Sequence, residues 1–402
     1  MTKFFNLAGA LSLPQTSLGA LTESPAPAIW LEPTSPRRTF LRRAPFAHHD
    51  PDQAKVFSDL LPVEINYPPS FVMSLPDTQL IGFRSFLYED LFYIDDPLAN
   101  EADVRRHVQR LDHDDEHRNE RTGFRTAPNS SGFSLRETAK KEIRLDEPVC
   151  VISSDEPENY GSFIFRVLPK LIAYRYMGLD HRIITPAGFE SMRRLLEICG
   201  IKGSQLIAHD TTATYHLSQA IVPSVRNPHA FLDEVSLSLI DEIRESVSQA
   251  SPSSDGRLIY VSRENLGSTK NGYRAMTNAA ELRDALQKLG FQTIYPEIMT
   301  ADQQVRAFAS ASVIVGQSGG AMFNAAFCRP GSIIIDIESE PHWIHAHMSY
   351  FSSLNLRYII FEAKPIEQAD RTIHLPFRVN VTALVDVLND ILSARLDKIR
   401  AT

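Results

Sequence analysis

Between residues 258 and 361 the chain alternates five short apolar runs with stretches of helical period, and this rhythm constrains the fold more than any other feature. The apolar runs lie at 258–262, 291–295, 313–315, 333–337 and 358–361, and the helical stretches at 278–289, 301–310, 320–327 and 342–351. Apolar runs of this length without polar alternation fit strands buried on both faces, and helices between them join such strands in parallel. The expectation is a doubly wound parallel sheet. The same rhythm is readable upstream, with strands at 149–152, 182–185, 205–208 and 216–222 and helices over 160–177, up to Cys199 and over 232–247.

A chain of 402 residues has room for two such units. Residues 1–70 carry nine prolines from Pro25 to Pro69 and no sustained period, so they read as an irregular N-terminal arm. Residues 71–247 form a first α/β domain, with a charged insertion near 101–141. The polar tract 248–256 reads as a linker, 257–380 as a second, Rossmann-like domain, and 381–402 as a C-terminal helix. His113 and His117 in the insertion sit four apart, but no third ligand accompanies them, and a solvated charged surface is the better reading.

Hydrophobic residues make up 43% and charged residues 22%, which excludes disordered, fibrous and multi-span membrane classes. Lys plus Arg is 41 and Asp plus Glu is 49, a net charge of −8, which argues against nucleic acid as a partner. Cys150, Cys199 and Cys328 lie far apart in apolar surroundings, so neither a disulfide framework nor a zinc site is expected, and a reducing, cytoplasmic location fits. The uncharged stretch 4–22 is broken by Asn6, Pro14, Gln15 and Ser17 and preceded by Lys3 alone, a poor export signal. Any membrane contact is expected to be peripheral, at the inner face.

Ligands of open α/β sheets bind beyond the carboxyl ends of the strands, so the loops after Val261, Tyr295, Val315 and Ile337 are the places to search. Arg263, Lys270 and Arg274 follow the first of them and could hold a diphosphate through charge-assisted hydrogen bonds, or simply solvate a loop. The turn from Gly316 through Ser318, Gly319 and Gly320 to Asn324 opens a helix, where small residues admit a phosphate to unpaired N–H groups; the same residues serve tight packing. The pattern is not GxGxxG, which argues against a nicotinamide dehydrogenase. Asp336, near the end of the next strand, could accept hydrogen bonds from ribose or cap a helix. His342, His345 and His347 match no zinc spacing, and Trp343 suits ring stacking. In the first domain, Asp155 and Glu158 follow a strand, as candidates for a general base or for helix caps.

The stretch 158–171, the run 259–263, Arg274 and Asn278, Gly290-Phe291, Gln304, the 316–324 turn and Asp336 together resemble the family 61 glycosyltransferases over about 148–345. The resemblance implies a GT-B-like pair of Rossmann-type parallel-sheet domains, an α/β fold, with the donor nucleotide held by the C-terminal domain. It also implies inverting transfer with no bound metal and no cofactor beyond the nucleotide-sugar itself. Asn159, Pro169, Arg263, Arg274, Asn278, Gly316, Gly319 and Asn324 match the family pattern. Ser162 and Ser318 stand where the family commonly has histidine, and Arg166 where it is commonly acidic.

The expected activity is therefore transfer of a hexosyl or pentosyl group from a nucleotide-sugar to a polysaccharide or other glycan acceptor, as in capsule assembly. Arg263, Lys270 and Arg274 would neutralise the diphosphate, Asn278, Asn324 and the 316–320 turn would complete the donor site, and Asp336 would take the ribose. Glu158 or Asp155, with Asn159 beside them, would activate the acceptor. The alternative is a catalytically inactive sugar-nucleotide- or glycan-binding scaffold, which Ser162, Arg166 and Ser318 favour. A nucleotide-sugar epimerase is disfavoured because a Pro-rich arm occupies the place of its N-terminal phosphate loop. Oligomeric state is left open by the sequence.

Overall fold

A computed structural model describes residues 4–33, 38–41, 64–67, 69–104, 106, 124–126, 133–135, 141–227, 230–248, 256–267, 274–340, 344–367 and 374–400. The chain divides into two compact units, Met1–Thr39 with Asn66–Pro228, and Phe40–Ile65 with His229–Thr402. Much of the charged insertion, including His113 and His117, lies outside the described residues, as do Lys270, His342, Trp343 and most of the 248–256 tract.

In the first unit, strands β1 (Phe4–Leu7) and β2 (Ala28–Leu31) come from the amino-terminal segment. Strands β3 (Arg38–Leu41) and β4 (Glu64–Tyr67) pair with each other in a separate ribbon. Next come β5 (Phe71–Ile81), β6 (Ser85–Tyr88), β7 (Leu91–Tyr93), β8 (Phe124–Thr126), β9 (Phe133–Leu135), β10 (Lys141–Val151), β11 (Arg182–Thr185), β12 (Leu206–Ala208) and β13 (Ala213–Pro223). Their order is β12-β11-β10-β13-β5-β6-β7-β1-β9-β8, with β2 also on β5.

This unit corrects two expectations. The run β12-β11-β10-β13 and the pair β1–β7 are parallel, while β13–β5, β5–β6 and β6–β7 are antiparallel, so the sheet is mixed rather than Rossmann-type. The arm is also not irregular throughout. Pro14, Pro25, Pro27 and Pro33 fall outside β1 and β2, where a missing N–H does no harm, and the apolar run Ala28-Ile29-Trp30-Leu31 between them pairs with β5. The parallel half agrees with its apolar sequence, since Val149, Cys150 and Val151 are fully buried.

The second unit carries β14 (Arg257–Val261), β15 (Gln292–Ile294), β16 (Ala311–Gln317), β17 (Ile333–Glu338) and β18 (Arg357–Glu362). All pairings are parallel, in the order β15-β14-β16-β17-β18. Tyr260, Val313, Val315, Ile335, Ile337 and Phe361 pack one face against Leu282, Leu286, Leu384 and Leu388 of helices Ala279–Lys288 and Val381–Arg400. The intervening Ile259, Ile314, Ile334 and Ile360 are also buried, which explains the absence of polar alternation. Helix Glu234–Ser248 belongs here, not to the first domain as the sequence suggests. Its Arg244 donates to the Cys328 carbonyl at 3.2 Å, and Val247 accepts from Arg306 at 3.2 Å. The boundary falls between Pro228 and His229, ahead of the polar tract.

Candidate functional site

In the second unit the strand order reverses between β14 and β16, since β15 lies on one side of β14 and all later strands on the other. Chain crossovers on opposite faces leave a crevice beyond the carboxyl ends of those two strands. Register places Val261, Gly316 and Asp336 level across β14, β16 and β17, so Arg263, Ser318 and Glu338 come two residues later in each.

Two arginines converge there on Gly319. The Arg263 guanidinium donates from Nη1 to the Ser318 carbonyl at 3.3 Å. A Cβ on Gly319 would lie 2.6 Å from Arg263 Nη1 and 4.0 Å from Arg274 Nη1, and Gly319 has φ of +149°, a conformation glycine tolerates. Gly316 is there for a different reason, because a Cβ would meet the Met322 sulfur at 2.3 Å and Val261 Cβ at 3.1 Å. The run Gly320–Phe327 that follows is a 3-10 helix rather than the expected α-helix, and Gly319, its N-cap, offers no side-chain cap.

Each arginine is held from behind. Ser262 Oγ accepts from the Glu264 N–H at 3.2 Å and donates to Glu264 Oε2 at 3.1 Å, which closes the turn around Arg263. Glu264 in turn pairs with Arg283 at 2.8 Å. Arg274 is 7% exposed, and its N–H donates to the His374 carbonyl at 3.0 Å while its carbonyl accepts from Gln317 Nε2 at 2.6 Å. Its guanidinium reaches Glu338 Oε1 from Nη2 at 3.2 Å, and Glu340 Oε1 lies 3.8 Å from Nε.

Behind the turn is a buried acidic group. Asp336 is fully buried and lies 2.7 Å from His347 Nδ1 through Oδ2. Ser318 Oγ lies 3.4 Å from the same ring nitrogen, so carboxylate and hydroxyl share one edge of the imidazole and do not form a Ser–His–Asp relay. Burial opposes a charge on His347, but the Asp336 carboxylate, its hydrogen bond and the Glu338 charge outweigh it and hold the imidazole above its ordinary pKa. Burial also raises the Glu338 carboxyl, assisted by the Asp336 charge and opposed by Arg274 and His347.

Three expected donor residues have structural partners. Asn278 donates to the Val379 carbonyl at 2.9 Å and accepts from the Val379 N–H at 3.1 Å. Asn324 donates to Gln304 Oε1 at 2.9 Å and to the Ala321 carbonyl at 3.1 Å. Asp336 faces His347 in the interior, which leaves its expected contact with ribose without support. Sequence reasoning also passed over Glu338, Gln317 and His347 as partners. The strand period gave a signal, since residues 336 and 338 of one strand point to one face.

In the first unit, β10 ends at Val151 and the loop to Asn159 leads into a helical run over 160–176. Asn159 caps it, with Oδ1 accepting from the N–H groups of Gly161 at 2.9 Å and Ser162 at 3.2 Å. The run includes a π-helical turn, Phe163–Val167, and a 3-10 turn, Leu168–Lys170. Asp155 pairs with Arg166, while Glu158 is exposed. Ser162 Oγ is buried 2.7 Å from Ser154 Oγ. Lys170, fully buried, pairs with Asp95 and donates to the Ser153 carbonyl at 2.7 Å, and Arg84 reaches Asp95 at 2.9 Å. Despite its burial, the Asp95 carboxyl is held below its ordinary pKa by Arg84 and Lys170. Burial pulls the Lys170 ammonium below its own ordinary value, against the attraction of Asp95.

Among the described residues no group of three or more His, Cys, Asp or Glu side chains is placed to hold a metal ion, and no helix is long and apolar enough to cross a membrane. Residues 160–335 match the model of the family described as Glycosyltransferase 61. No curated protein matches the chain.

Proposed function

We propose that the chain, as a member of the glycosyltransferase 61 family through residues 160–335, moves a hexosyl or pentosyl group from a nucleotide-sugar to a glycan acceptor. The convergence of Arg263 and Arg274 on Gly319 at the strand-order reversal carries this reading. Two guanidinium groups beside a turn that admits close backbone approach suit a diphosphate, and they can stabilise the charge that develops on it as the sugar departs. The acceptor hydroxyl then attacks the sugar carbon, the bond to the diphosphate oxygen breaks, and configuration inverts. In this reading the arginines take the charge-neutralising role, so the reaction runs without a metal. The GT-B class, a glycan such as a capsular polysaccharide as acceptor, and a cytoplasmic place with at most peripheral contact with the membrane belong to the same proposal.

Glu158 is the better candidate base in the first unit, because Asp155 is engaged by Arg166 whereas Glu158 is exposed beside the Asn159 cap. The test is thermal stability against a panel of nucleotide-sugars and nucleoside diphosphates with and without chelator, followed by turnover with whichever donor binds. Arg263→Ala should lower kcat/KM by about 100-fold or more. Undiminished turnover would remove Arg263 from the donor site, and a shift abolished by chelator would overturn the metal-free mechanism.

A specific observation favours a second reading, a scaffold that binds the donor without turning it over. The Asp155–Arg166 pair and the buried Ser154–Ser162 hydroxyl pair commit four polar positions of the 154–166 segment to one another. Donor binding without donor hydrolysis or transfer would select it.

A further inference from the structure

We infer that Glu338 is a positioning residue: it holds the Arg274 guanidinium so that Nη1 is turned to the Gly319 turn, which makes Arg274 one arm of a two-arginine anion clamp. The inference rests on the diphosphate reading above and adds a residue that neither the sequence nor the family match assigns.

Three tethers fix Arg274. Its backbone is bound on both sides, to His374 and Gln317, at a φ of +49° that is uncommon for a non-glycine residue. The third tether is the Nη2–Glu338 bond at 3.2 Å. With Nη2 on Glu338, Nη1 is the atom closest to Gly319, 4.0 Å from its Cβ direction, while Arg263 Nη1 approaches the same point at 2.6 Å. Glu338 is itself immobilised, because the Oε1 that receives Arg274 also accepts from the Glu340 N–H at 2.8 Å, and the side chain is 1% exposed. The planar fork of arginine serves two partners at once, the carboxylate on one edge and an anion on the other, which a lysine ammonium cannot reproduce.

A second carboxylate near an anion site opposes the anion by charge alone, so positioning and simple repulsion predict opposite signs. Inorganic pyrophosphate is the probe, its affinity for the full chain measured by isothermal titration calorimetry at fixed salt. If Glu338 positions Arg274, Glu338→Gln weakens pyrophosphate binding at least fivefold with the fold intact by circular dichroism. In an Arg274→Ala background, Glu338→Gln then changes the affinity by less than twofold. Equal or tighter binding by Glu338→Gln would overturn the inference while leaving the diphosphate site standing. Failure of the parent chain to bind pyrophosphate would overturn both. Should Glu338→Gln not fold, Arg274→Lys keeps the charge and removes the fork; at least fivefold weaker binding supports the inference, and parental affinity overturns it.

Discussion

Gly319 shows at the scale of one residue how conformation and site are joined. Its φ of +149° lies where side chains are strained, and a Cβ would displace Arg263 Nη1. Gly319→Ala should therefore destabilise the second unit by about 1–3 kcal/mol and weaken nucleoside diphosphate binding, as thermal unfolding with and without nucleotide would show. Lys170 is the counterpart in the first unit. Lys170→Met leaves Asp95 buried with Arg84 as its remaining cation, and the loss should be about 3–5 kcal/mol, measured in urea as an earlier transition of that unit. The sequence marked Arg263, Arg274, Gly319 and Ser318 because they follow strand ends. It could not reveal that Asn278 is spoken for, since the satisfying partner, Val379, lies 101 positions away.

Among elements, those built from local pattern were the most legible. The strand expected at 182–185 is β11 as it stands, the helix at 301–310 is Ala301–Ser310, and the five strands of the second unit differ from expectation by one or two residues at their ends. Helix Ala301–Ser310 also has a sequence-readable start, a capping box in which Thr300 and Gln303 satisfy each other. Strands β5 to β7 were not legible, because β5 carries Pro76, Asp77 and Thr78 in its middle and is defined by its long-range neighbour β13. Nor was the π-helical turn Phe163–Val167, which follows from no propensity rule. The run over 160–176 is broken into short pieces, so its cap matters: Asn159→Ala should cost about 0.5–2 kcal/mol. Faster amide exchange at Gly161 and Ser162 than in the parent would register that loss, and unchanged exchange would show that the rest of the run holds the turn closed.

On the scale of the whole molecule, the two units should answer pH in opposite directions. His347 in the second unit binds its proton more tightly folded than unfolded, so its contribution is fully present below about pH 6.5 and disappears as pH rises through the raised folded value. Glu338, also raised, acts in the same sense against its neighbours Asp336, Arg274 and His347. In the first unit Asp95 is lowered, so its contribution is present above about pH 3.9 and is lost as pH falls through the folded value. Lys170, also lowered, has the same sign in a separate window, its burial cost being relieved as pH rises from its folded value toward about 10.4. Hydrogen exchange followed unit by unit should show the second weakening toward alkaline pH and the first toward acid, with the second unit's slope reduced in His347→Asn. The division into two units was legible in outline but its boundary was not. A polar tract announces a linker, whereas helix Glu234–Ser248 chooses its unit through Arg244 and Val247 contacts made far along the chain.

Strand β2 has a bearing on how the chain behaves in company. β13 runs along one edge of β5 over 72–80, β6 takes the other edge only at 79–81, and β2 covers that second edge at 71–74. Trimming the chain through residue 33 would open a row of backbone donors and acceptors, an invitation for a strand of another copy to add itself. The amino-terminal segment thus works as a guard against self-association, and a shortened chain should precipitate at concentrations where the full one stays monodisperse by light scattering.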